Sequence, residues 1–345
     1  MGMEDLCLEK SFVGGELRQL RLGHQFLDDY LTLVMARARP NTALAIAYDL
    51  LVFFRIVGKT PEEISPKDLL AFVTEQRKPR GAENVARIQD GEAGLSARTI
   101  KRRLASISGL FNYLVVRGDA GVDTNPVPRG LGMRPLRGRR GVRGVPLIRT
   151  PQTLPRILEP SDVDLFVAAL RSRRDQAMVF AMVLGGLRRC EVLGLRLEDL
   201  KPGERRVMIA QGKGGRARIV PVSARFFAAL GEYLEHERPP TSPDNHVFVV
   251  LKGPRRGQPL SPAGLDQIVQ TARRRAGLSH LTCHQLRHTC FTRLREAGMA
   301  LEAIQAQAGH ASIESTRVYI HLANGWLAEE YLRASRALEA EAVWS

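Results

Sequence analysis

Residues 118–160 cannot build a core, and that stretch divides whatever this chain folds into. Its texture is Gly, Pro and Arg, and Arg134, Arg137, Arg139, Arg140 and Arg143 fall within ten residues with no acid among them. So little apolar surface cannot offset the entropy lost on ordering the segment. Compact structure must form on either side, and 345 residues suffice for a core in each part. The expected organisation is a helical domain over 15–118, a basic linker over 119–155 and a second domain over 156–345.

Upstream of the linker, apolar residues recur at helical spacing over 24–38 and 42–57, the second run starting at Asn41-Thr42 just after Pro40. Ser65-Pro66-Lys67-Asp68 opens a third helix with Pro at its first position. A fourth spans 96–117, with Ile100, Leu104, Ile107, Leu110, Phe111 and Leu114 on one stripe. Tyr30, Tyr48 and Tyr113 read as packing residues of this all-helical domain. Downstream, Ser161-Asp162-Val163-Asp164 caps a helix, and 175–184 forms a buried one that stops at Gly185-Gly186. The β-like runs 207–210 and 217–222, joined by a Gly-rich turn, make a hairpin, and the pattern is helical from there to the C-terminus. The fold class is thus expected to be mainly α with a small β-sheet (α+β).

The formal net charge is +15 and the pI about 10.3, which points to a polyanionic partner. Membrane surface is the rival polyanion, but no basic amphipathic helix or lipidation signal accompanies the charge. The longest wholly apolar run, 177–187, is 11 residues long and too short to cross a bilayer. The first ten residues carry three acids and no apolar run, unlike a secretory signal. Cys7, Cys190, Cys283 and Cys290 show neither a CxxC pair nor a disulfide spacing, so a reducing cytoplasm is expected. Arginines along the linker suit contact with DNA phosphates, whose neutralisation releases counterions.

Lysine is rare here, eight against 43 arginines, so each lysine carries information. Lys213 stands between glycines at the expected hairpin tip, Gln211-Gly212-Lys213-Gly214-Gly215, and unlike Arg it can release a proton. Lys252-Gly253-Pro254 is a similar turn. Arg188 follows the buried helix and its double-Gly break, and Glu191, three residues on, is placed to orient its guanidinium. Arg189 points roughly 100° away from Arg188 on a helix. In His284-Gln285-Leu286-Arg287-His288 one helical face gathers two imidazoles and a guanidinium, with His288 a candidate core histidine. A zinc protease would need Glu where Gln285 stands, and Cys283, His284, His288 and Cys290 diverge too much on one helix for a structural zinc, so no metal is expected. Gly309-His310 and Thr316-Arg317-Val318-Tyr319 complete the set, with Tyr331 the competing phenol.

In order and spacing these motifs resemble the phage integrase, or tyrosine recombinase, family over nearly the whole chain. The matching stretches are Gly186-Leu187-Arg188-Arg189-Cys190-Glu191, Gly212-Lys213-Gly214, His284 through His288, Gly309-His310, and Thr316 through Tyr319, nine positions after His310. Ala308 and Gly185 depart from the Leu and Thr common there. The resemblance implies an N-terminal SAM-like core-binding domain and an integrase-type catalytic domain clamping a DNA duplex. It implies Arg188, Lys213, His284, Arg287, His310 and Tyr319 as the catalytic set, with Glu191 and His288 in support.

The reaction it implies is transesterification through a 3′-phosphotyrosyl link, which conserves the phosphodiester energy and needs no cofactor, neither ATP nor metal. The implied partners are double-stranded DNA carrying a specific site, further copies of the chain in a synaptic tetramer, and accessory factors, with no membrane. The expected setting is the cytoplasm, at the nucleoid. In similar proteins a C-terminal segment such as 322–345 docks onto a neighbouring subunit. Integration, excision or transposition of a mobile element is the expected use. The alternatives are a non-catalytic DNA-binding protein descended from a recombinase, or an activity like a type IB topoisomerase.

Overall fold

The stripe over 96–117 is a helix in the computed structural model, and all six of its residues named above are buried. The structure describes residues 3–13, 16–78, 94–128, 148, 156–210, 217–240, 242 and 245–309. They fall in two units, Met1–Gln152 and Thr153–Ser345. The expected linker arginines Arg134, Arg137, Arg139, Arg140 and Arg143 lie outside the described residues, as do Lys213, His310, Tyr319 and the C-terminal segment.

The first unit holds α1 (Gln25–Arg37), α2 (Pro40–Val57), α3 (Pro66–Arg77) and α4 (Ala97–Arg117). Capping follows the sequence: Ser65 and Asp68 form a reciprocal box at the start of α3, and the Ser96 hydroxyl accepts from Thr99 N–H at the start of α4. Helix α2 is long and apolar enough to pass for a membrane span by composition, yet Ala43, Ala47, Leu50, Phe53 and Phe54 are fully buried in the unit's core.

Two expectations fail in this unit. It is not all-helical, because β1 (Glu9–Val13) and β2 (Glu16–Arg21) pair antiparallel ahead of α1. Every β1 residue is exposed, so no alternation betrays the strand. Tyr48 is 45% exposed rather than packed, and its hydroxyl accepts a hydrogen bond from Lys10 Nζ at 2.8 Å.

The second unit runs α5 (Pro160–Ala168), α6 (Arg173–Val183), α7 (Arg189–Leu193), β3 (Leu200–Lys201), β4 (Arg206–Ile209), β5 (Arg218–Pro221), α8 (Ala224–Glu232), α9 (Pro262–Arg275), α10 (Cys283–Glu296) and α11 (Leu301–Ala308). Helix α5 begins one residue before the expected Ser-Asp cap, with Glu159 as N-cap and Pro160 in the first turn, where its fixed φ costs nothing. The expected hairpin is the β4–β5 pair of a three-stranded antiparallel sheet, in which Ile209 faces Arg218 and Val207 faces Val220.

Beyond β5 the chain is not helical throughout. One bridge ties His246 back to Arg196, and another pairs Val249 with Pro259 within the same stretch. The core sits on α6, whose residues Ala177, Met178, Val179, Ala181 and Met182 are fully buried, and α6 packs against α8 and α10. Its N-terminus is capped twice. Ser172 accepts from Asp175 N–H, and Glu237, from the π-helical turn Tyr233–Glu237, accepts from the N–H groups of Arg173 and Arg174 at 2.8 and 3.0 Å.

Candidate active site

The buried helix α6 ends where the sequence places the double glycine. Gly186 takes φ +68°, and a Cβ there would stand 2.4 Å from Cζ of Phe291 on α10. Only glycine permits both the left-handed turn and the ring's approach. The turn delivers Arg188 to the N-cap of α7, not into the helix as its i,i+3 spacing with Glu191 suggested. Glu191 holds Arg188 at two points instead: Oε2 accepts from the Arg188 N–H at 2.9 Å and Oε1 from Arg188 Nη1 at 2.7 Å.

A second guanidinium meets the same carboxylate. Arg218 of β5 donates from Nη1 to Oε1 and from Nη2 to Oε2 of Glu191, both at 2.9 Å. Each carboxylate oxygen thus accepts twice, which fills the roughly four lone-pair sites of the group. A third guanidinium, Arg287 of α10, approaches Oε2 to 3.9 Å and lies over the Phe291 ring, 4.7 Å from its centroid. The Glu191 side chain is 1% exposed. Burial pushes its pKa up, but hydrogen bonds from Arg218 and from the Arg188 backbone, with the charges beside it, hold it down to about 2.

The end of α11 completes the arrangement. Gln307 O accepts from Arg218 Nε at 3.2 Å, Ala308 O from Arg287 Nη2 at 2.8 Å, and Gly309 O from Arg188 Nη2 at 3.4 Å. Three successive carbonyls at a helix C-terminus, with no intrahelical partner available there, each meet a different guanidinium. Arg287 Nη1 also donates to Gly186 O, tying α10 to the turn before Arg188. Gly309 caps α11 at φ +60°, and a Cβ there would meet the Arg218 guanidinium at 3.0 Å.

Helix α10 starts on Thr282, which accepts from the Gln285 N–H. On its exposed side His284 and His288 face each other edge to face, Nε2 to Nε2 at 2.8 Å. Burial, then the neighbouring His284 and Arg287 charges, pull the His288 pKa down to about 4, so it is neutral at pH 7. His288 is therefore the partner of His284 and not a lone core residue. The thiols nearby are poor nucleophiles, since burial first of all pushes Cys283 to about 11 and Cys290 to about 12.

Of the expected site residues, Arg188, Glu191 and Arg287 converge; on the Arg287 helix, His284 stands about one turn before Arg287 and His288 directly after it. Arg189 points away, to Asp266 on α9. Sequence reasoning missed Arg218 and the buried Gln307, whose Nε2 donates to Gly185 O and Pro221 O at 3.0 Å each. Nothing local marks either residue, because their partners lie far away in the chain. Chemically, the cluster sets three fixed positive charges against one buried negative one, an arrangement suited to an oxyanion such as a phosphate.

Comparison with known proteins gives the same outline. A family model described as phage integrase family matches residues 156–325, and one described as phage integrase, N-terminal SAM-like domain matches 26–118. The tyrosine recombinase XerC of Pseudomonas entomophila (strain L48) is 34% identical over 245 residues, spanning 69% of this chain and 74% of that protein. The XerC of Pseudomonas aeruginosa (strain PAO1) is 33% identical over 257 residues, spanning 72% and 76%. In fold, the chain resembles the Tn1549 transposon integrase in complex with transposon right end DNA (TM-score 0.62, 18% identity, covering 84% of this chain and 92% of that one). It likewise resembles the lambda integrase dimer bound to a COC′ core site (TM-score 0.60, 18% identity, covering 84% and 96%).

Proposed function

The chain belongs to the phage integrase family and is a tyrosine site-specific recombinase, and from that premise we propose how its residues carry the reaction. Its substrate is double-stranded DNA bearing a specific recombination site. Arg188 and Arg287 bind the non-bridging oxygens of the scissile phosphate, and His310 donates a further hydrogen bond. The Tyr319 phenol oxygen attacks phosphorus while the bond to the 5′ oxygen breaks. His284 assists removal of the phenol proton, and Lys213 protonates the leaving oxygen, leaving a 3′-phosphotyrosyl link and a 5′-hydroxyl. The 5′-hydroxyl of a second duplex then attacks the link and restores the phosphodiester.

Arg188 and Arg287, 99 positions apart in the chain, both reach the Glu191 carboxylate, and that convergence is the observation that carries the reading. A phosphate bound there replaces water with guanidiniums already fixed in place. We extend the proposal to a tetramer of this chain on two duplexes, joined by the segment after 322 and by accessory factors. It acts on DNA in the cytoplasm, in the integration, excision or transposition of a mobile element. The N-terminal helical domain over 15–118 and the basic linker over 119–155 hold the duplex.

The test is a nicked suicide duplex carrying the sequence that flanks the gene. The parent forms an adduct that survives SDS, and Tyr319→Phe forms none. An undiminished adduct in that variant would move the nucleophile to Tyr331 or elsewhere and overturn the assignment.

A further inference from the structure

The contact that stands out beyond the six catalytic positions is the one between β5 and α7. Arg218 spends Nη1 and Nη2 on Glu191 and Nε on Gln307 O, with its side chain 13% exposed. So committed an arginine is poorly placed to bind substrate. We propose that Arg218 is a positioning residue for the recombination reaction: it locks both oxygens of Glu191, and through that carboxylate fixes Arg188 at the phosphate site.

Geometry and charge both support this. Without Arg218, each Glu191 oxygen keeps one near donor, and both of those donors belong to Arg188. The carboxylate then swings on a single residue's hydrogen bonds, and the Arg188 guanidinium swings with it. Among the described residues the charged groups at Glu191 are Arg188 from its own turn, Arg218 from β5 and Arg287 from α10. Glu191 cancels one positive charge of the three. If Arg218 supplies it, Arg188 and Arg287 keep theirs for the phosphate; if Arg218 is removed, they share the loss. The hydrogen bonds from Arg218 also lead the effects that keep the buried carboxylate ionised against desolvation. Position matters too. Arg218 stands opposite Ile209, where β5 begins, so the expected hairpin carrying Lys213 and the seat of Arg188 share this strand.

The inference rests on the recombinase reading, so its test has one arm that does not need activity. Arg218→Gln, Arg218→Lys, Glu191→Gln and the Arg218→Gln/Glu191→Gln pair are compared with the parent for single-turnover adduct formation and for affinity on the same nicked duplex. The Glu191 side-chain carboxyl is followed by carbon NMR during an acid titration. Arg218→Gln is expected to slow adduct formation on the order of 100-fold while the Kd changes about threefold or less.

Arg218→Lys keeps the charge without the fork and falls between the two. The double variant loses less than the two single losses combined, because both substitutions break the same contact. In Arg218→Gln the Glu191 titration midpoint moves up. Cleavage within about twofold of the parent, or affinity lost as far as cleavage, overturns the proposal. So does an unmoved midpoint. A parent that forms no adduct removes the recombinase reading, while the titration still decides the Arg218–Glu191 contact.

Discussion

The Nε2 atoms of His284 and His288 stand 2.8 Å apart, so the two rings divide one proton between them. His288 enters this pair with a pKa depressed from 6.5 to about 4, by burial first and by the His284 and Arg287 charges after it. The unfolded chain therefore binds the extra proton across that interval. The contribution to stability is complete above about pH 6.5 and is lost as pH falls towards 4. Denaturant midpoints measured through this window should fall, and His288→Gln should flatten the fall. A variant profile parallel to the parent's would show that another group titrates there.

Glu191 loses its contribution at lower pH. Its pKa is held at about 2 against an ordinary 4.5, so its contribution is present above 4.5 and disappears as pH falls through 2. Glu191→Gln should reduce acid sensitivity in this lower window only, where Asp68, also held at about 2, goes on titrating. Midpoints for that variant that still drop below about pH 4 as steeply as the parent's would contradict the assignment.

Gly186 and Gly253 both have positive φ, but their surroundings differ. A Cβ at Gly186 meets Phe291 at 2.4 Å, whereas one at Gly253 meets nothing within 4 Å. Gly253→Ala should cost about 1 kcal/mol from backbone strain alone. Gly186→Ala should cost about 3 kcal/mol or more, since the ring must also move. Equal losses in urea melts would mean the Phe291 contact is soft.

Helices were legible in this sequence because burial writes a stripe. Ile100, Leu104, Ile107 and Leu110 are buried at the spacing that announced α4. The β1–β2 hairpin left no such trace, since Phe12 and Val13 are 58% and 62% exposed. Arg188, Glu191, His284 and Arg287 could be found because their partners lie three or four residues away or their motifs are known as units. Arg218 could not, because its carboxylate lies 27 positions back and a half-buried strand arginine looks like any edge-strand charge. Gln307 is hidden for the same reason: its amide bonds to carbonyls 122 and 86 positions away.

Glu237 caps a helix it does not belong to. Its two oxygens accept from the first two N–H groups of α6 at 2.8 and 3.0 Å. Glu237→Ala should cost about 1 kcal/mol, typical of a lost cap, with the adduct rate per folded molecule unchanged. Chemical denaturation alongside single-turnover cleavage separates the two quantities. A fall in rate at full folding would extend the role of the cap to the site.

Asp49 is 1% exposed in α2 and accepts from Ser106 and Arg102 at 2.8 and 2.5 Å. Burial raises its pKa in spite of Ser106, Arg102 and Arg103. Folding thus favours the protonated acid, and the stability it brings grows as pH falls through the raised value and is lost as pH rises. Asp49→Asn, neutral and nearly isosteric, should melt at pH 7 no lower than the parent. A fall of more than about 5 °C would show that the ion pairs outweigh desolvation.

The three rungs at the end of α11 make spacing, as well as identity, part of the site. Gln307, Ala308 and Gly309 each answer to a different arginine. Deleting one residue from the connection at 298–300 would slide α11 along its axis by about 1.5 Å and turn it by about 100°. Every guanidinium would then face the wrong carbonyl. A point substitution disturbs one partner, whereas a shift of frame between α10 and α11 disturbs all three together. Among relatives of this chain, loop length at that connection should tolerate far less variation than the loop's residues do.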